Sequence, residues 1–256
     1  MNPAFQENEL DYALKKVGIK TLVMTEHFKS SNYIKIVQEL IPELAKATNP
    51  LDLGKIERYP ELKNIVLIAD KPQKGMINFR DLSEIYTSKD DMELQKREKA
   101  IDFESPTNIQ FTSGTTGYPK GATLSHFNIL NNSYYFGSFL RYTPEDKVAI
   151  TVPLYHCFGM VLGNLAALNF GATMVYPNES FDPVSALEAV TKHKCTSLYG
   201  VPTMLIAMLE EYAKHPTNYD ITSLRTGFVA GSGCPEALLD RLRTDFQIHE
   251  FTHGYG

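Results

Sequence analysis

The sequence predicts an α/β fold built on a parallel sheet that helices cover on both faces. Short apolar strands rich in β-branched residues, such as "KTLVM" (20–24) and "NIVLIA" (64–69), alternate with stretches of helical apolar spacing. The alternation continues without a repeat or a flexible linker. The 256 residues, 43% apolar and 21% charged, are therefore predicted to form one continuous domain.

In the first half of the chain, the sequence predicts two helices and a charged connector before a third strand. Apolar residues at helical spacing before Gly18 predict a helix over 5–18. A second helix is predicted over about 31–47. The highly charged segment 88–106 is predicted to be a solvated helix or connector, and "NIQF" (108–111) is predicted to be a strand.

The second half repeats the alternation of helices and strands, with Ser125 as a helix N-cap and Pro202 in the first turn of another helix. The predicted elements are helices over 125–140, 159–171, 202–215 and 235–246, strands at 147–155, 172–177, 224–233 and from 248 onward, and a helix–strand unit over 182–200.

Composition excludes several functional classes. A formal charge of −5 and the lack of a long basic run argue against nucleic-acid binding. Three scattered cysteines without CxxC spacing predict no disulfide framework and a reducing compartment. The uncharged stretch Val148–Asn178 raises a membrane helix as an alternative, but Pro153 and several polar residues and glycines interrupt it, so a buried strand–loop–helix–strand is predicted. The N-terminus resembles no signal or transit peptide.

The stretch "TSGTTGYPKG" (112–121) has the composition of a phosphate-binding loop. Glycines allow sharp turns and close approach, hydroxyls and successive amides donate hydrogen bonds, and a lysine adds a charge. The residues concerned are Thr112, Ser113, Gly114, Thr115, Thr116, Gly117, Lys120 and Gly121. The spacing fits neither a Walker A loop nor G-x-S-x-G. We predict a polyphosphate clamp between a strand and a helix; the alternative is a solvated surface loop.

The same stretch resembles the phosphate-binding signature of the adenylate-forming family, which includes acyl-CoA synthetases, peptide-synthetase adenylation domains and beetle luciferases. Further segments resemble the family in order: "PLYHCFGM" (153–160), "YGVPTML" (199–205), "VAGSGCPEAL" (229–238) and "HGYG" (253–256). Within the family, the first two motifs are most similar to mitochondrial medium-chain fatty acyl-CoA synthetases.

This resemblance implies a ligase reaction with ATP, Mg²⁺, coenzyme A and a medium-chain fatty acid, and a mitochondrial location. It implies that Thr112–Gly117 and Lys120 hold the β- and γ-phosphates and that His156 lies near the carboxylate. The implied nucleotide and acyl wall comprises Gly231, Ser232, Gly233 and Pro235, and the implied adenine site comprises Gly254, Tyr255 and Gly256.

Each of these roles has an alternative. His156 is also compatible with a core histidine, or with a Cys/His nucleophile together with Cys157. Tyr255 is also compatible with simple packing. The apolar segment after His156 contains no acidic residue for an α-amino group, which favours a fatty acid over an amino acid.

The resemblance further implies that residues 1–256 are a partial N-terminal AMP-binding domain without its C-terminal domain. The family's magnesium-binding glutamate and adenylation lysine are then expected outside these residues, and low activity is expected for the chain alone. The alternative functions are a non-catalytic module that binds a nucleotide or a partner, and a luciferase-like oxygenase. The oligomeric state stays open.

Overall fold

The computed structural model describes residues 1–112 and 118–255. Within them the chain forms two compact units, the first made of 1–105 with 109–123 and the second made of 106–108 with 124–255. The sequence predicted one continuous domain over this length. The structure gives each unit its own parallel sheet and its own buried core.

The first unit is built on a three-stranded parallel sheet of order β1-β4-β5. Its helices and strands are α1 (Glu7–Val17), β1 (Thr21–Thr25), β2 (His27–Phe28), β3 (Ser31–Asn32), α2 (Tyr33–Leu40), β4 (Asn64–Ile68), β5 (Ile77–Asn78), α3 (Leu82–Ile85) and α4 (Ser88–Ala100). Leu14 of α1, Val37 of α2 and Ile65 of β4 belong to one buried apolar cluster. The predicted first helix and the first two strands are thus confirmed.

The first helix follows the capping rules closely. Gln6 and Glu9 form a reciprocal capping box at its start. Gly18 ends it with a φ of 59°, the left-handed conformation in which glycine is favoured. On the exposed side, Asp11 accepts hydrogen bonds from the Tyr59 hydroxyl at 2.6 Å and from Arg58 Nε at 2.9 Å. These contacts join α1 to the loop that precedes β4.

The second helix is shorter than predicted. The sequence predicted a helix over about 31–47, but α2 ends at Leu40 and a separate 3₁₀ turn occupies Pro42–Lys46. Proline disfavours the helical conformation of the residue before it, and Ile41 accordingly has φ −132° and ψ 72°.

The charged segment is a solvated helix, as predicted. Within α4 no residue is buried, and Glu93 contacts Arg97 one turn later at 2.8 Å. Such surface pairs contribute little to stability.

The predicted clamp does not lie between a strand and a helix. Two strands, β6 (Pro106–Phe111) and β7 (Gly121–Ser125), pair with each other, and the clamp segment connects them. The helix begins only after Ser125, whose hydroxyl accepts from the Asn128 amide at 3.2 Å. The N-cap was predicted correctly, but the four residues before it, Gly121–Leu124, pair with β6 in a strand that was not predicted.

The second unit contains a five-stranded parallel sheet of order β12-β11-β10-β8-β9. Its elements are α5 (His126–Phe139), β8 (Lys147–Ala149), a π-helix (Phe158–Leu165), α6 (Ala166–Asn169), β9 (Thr173–Val175), α7 (Pro183–His193), β10 (Ser197–Gly200), α8 (Pro202–Lys214), β11 (Thr226–Val229), α9 (Glu236–Thr244) and β12 (Glu250–His253). The predicted alternation is confirmed throughout this unit.

Helices cover both faces of this sheet, as predicted. Leu198 and Val229 point into a cluster that includes buried residues of α7, α8 and α9. Their neighbours Tyr199 and Phe228 point into a second cluster, with Phe158 of the π-helix. Successive side chains of a strand alternate between faces, so two continuous apolar surfaces are needed.

The uncharged stretch folds as a strand, a loop, a helical segment and a strand. The strand predicted at 147–155 ends early, at Ala149, and the helical segment begins as a π-helix at Phe158. Gly159 packs against the preceding loop so closely that a Cβ there would lie 2.4 Å from the Pro153 carbonyl oxygen. In the part of the chain that the structure describes, no helix has both the length and the apolar composition needed to cross a bilayer.

Candidate functional site

Two hydrogen bonds directly connect Thr112 and Lys120, which lie on either side of the undescribed part of the predicted phosphate-binding loop. The Thr112 amide donates to the Lys120 carbonyl oxygen at 2.9 Å, and the Lys120 amide donates to Thr112 Oγ1 at 3.1 Å. The Lys120 side chain is exposed, so its ammonium group can reach an anion. The predicted site residues that lie outside the described residues are Ser113, Gly114, Thr115, Thr116 and Gly117.

Helix α1 contacts the end of this loop, a contact that was not predicted from the sequence. The Tyr12 hydroxyl donates to the Pro119 carbonyl oxygen at 2.8 Å. The Tyr12 ring stacks on Tyr118, with ring centroids 5.0 Å apart and planes 19° apart. These residues also line a cavity of about 470 Å³. No sequence pattern relates Tyr12 to residues more than a hundred positions away.

His156 precedes the π-helix, and its carbonyl oxygen accepts the Gly159 and Met160 amides at 3.1 and 3.0 Å. Its Nδ1 accepts the Phe158 amide at 3.0 Å, so the neutral ring carries its proton on Nε2. Cys157 Sγ lies 3.6 Å from the same Nδ1. This hydrogen bond raises the pKa of His156 against the opposing effect of burial, and it lowers the pKa of the Cys157 thiol. The His156 side chain is exposed, so it is not the core histidine that the sequence allowed.

The glycine turn after β11 is also exposed. Gly231 has a φ of 94°, and a Cβ there would lie 3.2 Å from Val201 Cγ1 at the start of α8. Ser232 and Gly233 are exposed, and Pro235 occupies the N-cap position of α9. The conformation of Gly231 lies in the region that favours glycine, which explains its presence in this turn.

The turn after β11 lies beside the end of β12. The Gly254 amide donates to the Val229 carbonyl oxygen at 2.9 Å. A Cβ at Gly254 would lie 2.0 Å from the Phe228 ring, so only glycine fits there. Tyr255 is fully exposed, so it does not pack against the chain as the alternative supposed. Gly256 lies outside the described residues.

The predicted residues of the second unit share one edge of its sheet. The carboxyl ends of parallel strands meet at a single edge, which is where open α/β sheets bind ligands. The Gly231–Pro235 turn follows β11 there, Gly254 and Tyr255 follow β12, and the segment with His156 follows β8.

An ion pair between buried Asp146 and half-buried Arg225, at the opposite edge, was not predicted. Asp146 precedes β8 and accepts hydrogen bonds from Arg225 Nη2 at 2.7 Å, from Arg225 Nε at 3.0 Å and from Thr196 Oγ1 at 2.6 Å. Burial acts to raise the pKa of Asp146, but these hydrogen bonds outweigh it and lower the pKa. The Arg225 guanidinium also donates to the Leu140 and Arg141 carbonyl oxygens. The pair therefore links the residues that precede β8, β10 and β11, and its role is structural.

Comparison with known proteins identifies the family. The profile of the family described as "AMP-binding enzyme" matches residues 1–256. The chain belongs to the AMP-binding enzyme family. The resemblance to adenylate-forming enzymes that the sequence motifs predicted is thus confirmed.

Relatives of this AMP-binding chain include bacterial and vertebrate proteins. It is 42% identical over 258 residues to YngI of Bacillus subtilis (strain 168), and covers 46% of that protein. It is 39% identical over 258 residues to "Medium-chain acyl-CoA ligase ACSF2, mitochondrial" of Danio rerio, and 37% identical over 261 residues to the Homo sapiens protein of that name. Each match includes the whole chain, which spans 42% of each of these two relatives.

Solved structures share the fold of this AMP-binding chain. The anthranilate CoA ligase AuaEII, in complex with anthranoyl-AMP, matches it with a TM-score of 0.77 at 19% identity. A long-chain-fatty-acid-CoA ligase (FadD1) from Archaeoglobus fulgidus matches with a TM-score of 0.72 at 19% identity. The matches cover the whole chain and 44% and 46% of those proteins. The predicted α/β fold of adenylate-forming enzymes is confirmed.

Proposed function

We propose that this chain forms the ATP- and acyl-binding part of an ATP-dependent acyl-CoA ligase. The observation that carries the proposal is the match of the entire chain to the AMP-binding family, with relatives at 37–39% identity named medium-chain acyl-CoA ligases. The complete phosphate-binding signature at 112–121 supports it.

The proposed reaction has two steps. A fatty acid carboxylate oxygen attacks the α-phosphorus of ATP, and the bond to the β-phosphate oxygen breaks, which gives acyl-AMP and pyrophosphate. The thiol of coenzyme A, after losing its proton, then attacks the acyl carbon and displaces AMP. Negative charge accumulates on the phosphates in the first step, so preorganised donors and a cation lower its barrier.

We assign phosphate binding to the segment that Thr112 and Lys120 enclose. Lys120 supplies an exposed ammonium group, and its backbone is fixed by the two hydrogen bonds to Thr112. Charge-assisted hydrogen bonds of this kind are among the stronger ones in proteins. Ser113–Gly117 complete the proposed segment from the sequence motif.

We assign the adenine and acyl sites to the edge of the second unit's sheet. The exposed Tyr255 ring can stack on a flat base, and the Gly231–Pro235 turn beside it forms a wall. His156 can donate from Nε2 to the carboxylate, because its Nδ1 is engaged by the Phe158 amide. The segment after His156 carries no charged side chain as far as Asn178, which suits an alkyl chain.

Magnesium enters this proposal as part of the substrate, Mg-ATP. Among residues 1–112 and 118–255, no three histidine, cysteine or carboxylate side chains are grouped as a metal site. Magnesium is commonly bound through substrate phosphates and a few ligands, so the proposal needs no dedicated cluster here. We assign no residue of this chain to coenzyme A.

A mitochondrial location is the remaining part of the proposal. The names of the vertebrate relatives support it, whereas the Bacillus subtilis relative is 42% identical against 39% for the Danio rerio relative. Fluorescence microscopy of the tagged gene product in its own cells tests it, and a signal outside mitochondria would contradict it.

Calorimetry of the purified chain with Mg-ATP and with a non-hydrolysable acyl-adenylate analogue tests the proposed sites. We expect both to bind, and Lys120→Ala to weaken ATP binding at least tenfold, because a charge-assisted contact is lost. A parallel assay measures pyrophosphate release with octanoate. Binding with little turnover is what this proposal expects of the chain alone, and unchanged ATP affinity in Lys120→Ala would contradict the assignment of the loop.

A further inference from the structure

The peptide unit between Pro119 and Lys120 is held at both ends. Its carbonyl oxygen, on Pro119, accepts the Tyr12 hydroxyl at 2.8 Å. Its amide, on Lys120, donates to Thr112 Oγ1 at 3.1 Å. Two hydrogen bonds at opposite ends of one planar unit fix the rotation of that plane. The orientation of the Lys120 backbone therefore depends on Tyr12 as well as on Thr112.

Helix α1 is a rigid support for Tyr12. Leu10, Ala13 and Leu14 are buried on one side of it. On the other side, Asp11 accepts hydrogen bonds from Arg58 and Tyr59, and its pKa is held well below its ordinary value, because the bonds from Lys15, Tyr59 and Arg58 outweigh the effect of burial. Both faces of α1 next to Tyr12 are thus held in place, one by apolar burial and the other by the hydrogen bonds of Asp11.

The same helix also contacts both strands next to the loop. The Tyr12 and Phe111 rings lie 6.4 Å apart, at the end of β6. At the start of β7, a Cβ on Gly121 would lie 3.3 Å from Val17 Cγ1. Helix α1 therefore contacts the chain just before the loop, at its end and just after it.

We propose that Tyr12 is a positioning residue for phosphate binding by Lys120. The hydroxyl fixes the Pro119–Lys120 peptide, so that Lys120 starts from one backbone orientation when it binds an anion. This inference rests on the proposed function of the loop. It adds a residue of α1, outside every motif in the sequence, to the machinery of that site.

A variant of Tyr12 can remove its hydrogen bond and keep the packing of its ring. Tyr118 is 78% exposed although it stacks on Tyr12, and the cavity of about 470 Å³ lies beside both rings. Tyr12→Phe keeps the stacked ring and removes only the hydroxyl. The chain offers a matched control, because the Tyr33 hydroxyl also donates to a prolyl carbonyl oxygen, that of Pro3.

The test compares ATP with AMP on the purified chain by calorimetry. Lys120 is assigned to the β- and γ-phosphates, which AMP lacks. Tyr12→Phe is expected to weaken Mg-ATP binding about 2- to 10-fold, the range of one neutral hydrogen bond, and to leave AMP affinity unchanged. Tyr33→Phe is expected to change neither affinity. In the double variant with Lys120→Ala, the Tyr12 effect is expected to vanish.

Hydrogen exchange of the unliganded protein gives a second measurement that needs no ligand. Tyr12→Phe is expected to increase exchange at the Lys120 and Thr112 amides, and Tyr33→Phe is not. Unchanged exchange at both amides would overturn the inference, as would an equal loss of ATP and AMP affinity. If Lys120→Ala weakens ATP binding and Tyr12→Phe does not, only this inference is contradicted. If Lys120→Ala has no effect on ATP binding, the proposed function of the loop is contradicted as well.

Discussion

Substituting Gly159 with alanine tests the packing of the π-helix on the loop before it. The new Cβ would lie 2.4 Å from the Pro153 carbonyl oxygen, 2.8 Å from its carbon and 3.0 Å from the Val152 oxygen. An ordinary contact begins at 3.4 Å, so the helix or the loop must move by about 1 Å. All three neighbours are backbone atoms, so no side chain can rotate away.

Such overpacking costs about 1–3 kcal/mol. At roughly 4 °C per kcal/mol, the melting temperature is expected to fall by about 4–12 °C. Differential scanning calorimetry measures the shift. Because the displaced loop carries His156, binding of the acyl-adenylate analogue is expected to weaken in the same variant.

Gly163→Ala is the matched control, because Gly163 lies one turn later in the same π-helix. The three atoms nearest to its Cβ would all belong to the Ile150 side chain, the nearest at 3.2 Å, and that side chain can adjust. Both variants share the same intrinsic gain in helix propensity. If Gly163→Ala is as destabilising as Gly159→Ala, the reasoning from backbone contact is refuted.

Three further predictions concern charged and reactive groups. Asp146→Asn is expected to lower the free energy of unfolding by about 2–4 kcal/mol in urea titrations, because it leaves the half-buried Arg225 cation without its carboxylate; an effect below 0.5 kcal/mol would contradict this. Because the pKa of Asp146 is lowered, its stabilising contribution is complete above the ordinary aspartate pKa and is lost as pH falls towards the folded-state pKa. The free energy of unfolding is therefore expected to fall more steeply between pH 7 and pH 3 for the wild type than for Asp146→Asn. Iodoacetamide is expected to modify Cys157 before Cys195, whose pKa burial raises to about 11, and His156→Ala is expected to slow the modification of Cys157; peptide mass spectrometry would contradict this if Cys195 reacted first.

The elements that were predicted correctly carry local signals for their type and their ends. Helix α7 is an example, because Asp182 at its N-cap and Pro183 in its first turn are residues typical of a helix start. The early end of α2 also had a local signal, Pro42, which the prediction of a helix over about 31–47 did not use. Strand β7 had none, since its five residues become a strand only by pairing with β6.

The candidate site was predicted to a similar extent. The motif placed Thr112 and Lys120 in one loop, and two hydrogen bonds join these residues in the structure. Their role in phosphate binding stays a prediction. The contact of Tyr12 with Pro119 could not be predicted, because it joins residues 107 positions apart through tertiary packing. The Asp146–Arg225 pair spans 79 positions and escaped prediction for the same reason.

The strand order β12-β11-β10-β8-β9 has a consequence for how the second sheet can assemble during synthesis. The first pair to emerge, β8 and β9, is adjacent in the sheet. Strand β10 then adds beside β8, β11 beside β10, and β12 beside β11. No strand has to insert between two that are already paired. The chain therefore loses the entropy of closing each crossover connection in a separate step. The sheet can thus grow during synthesis: β10 covers the free edge of β8, and β11 and β12 each cover the edge of the strand that precedes them in the chain.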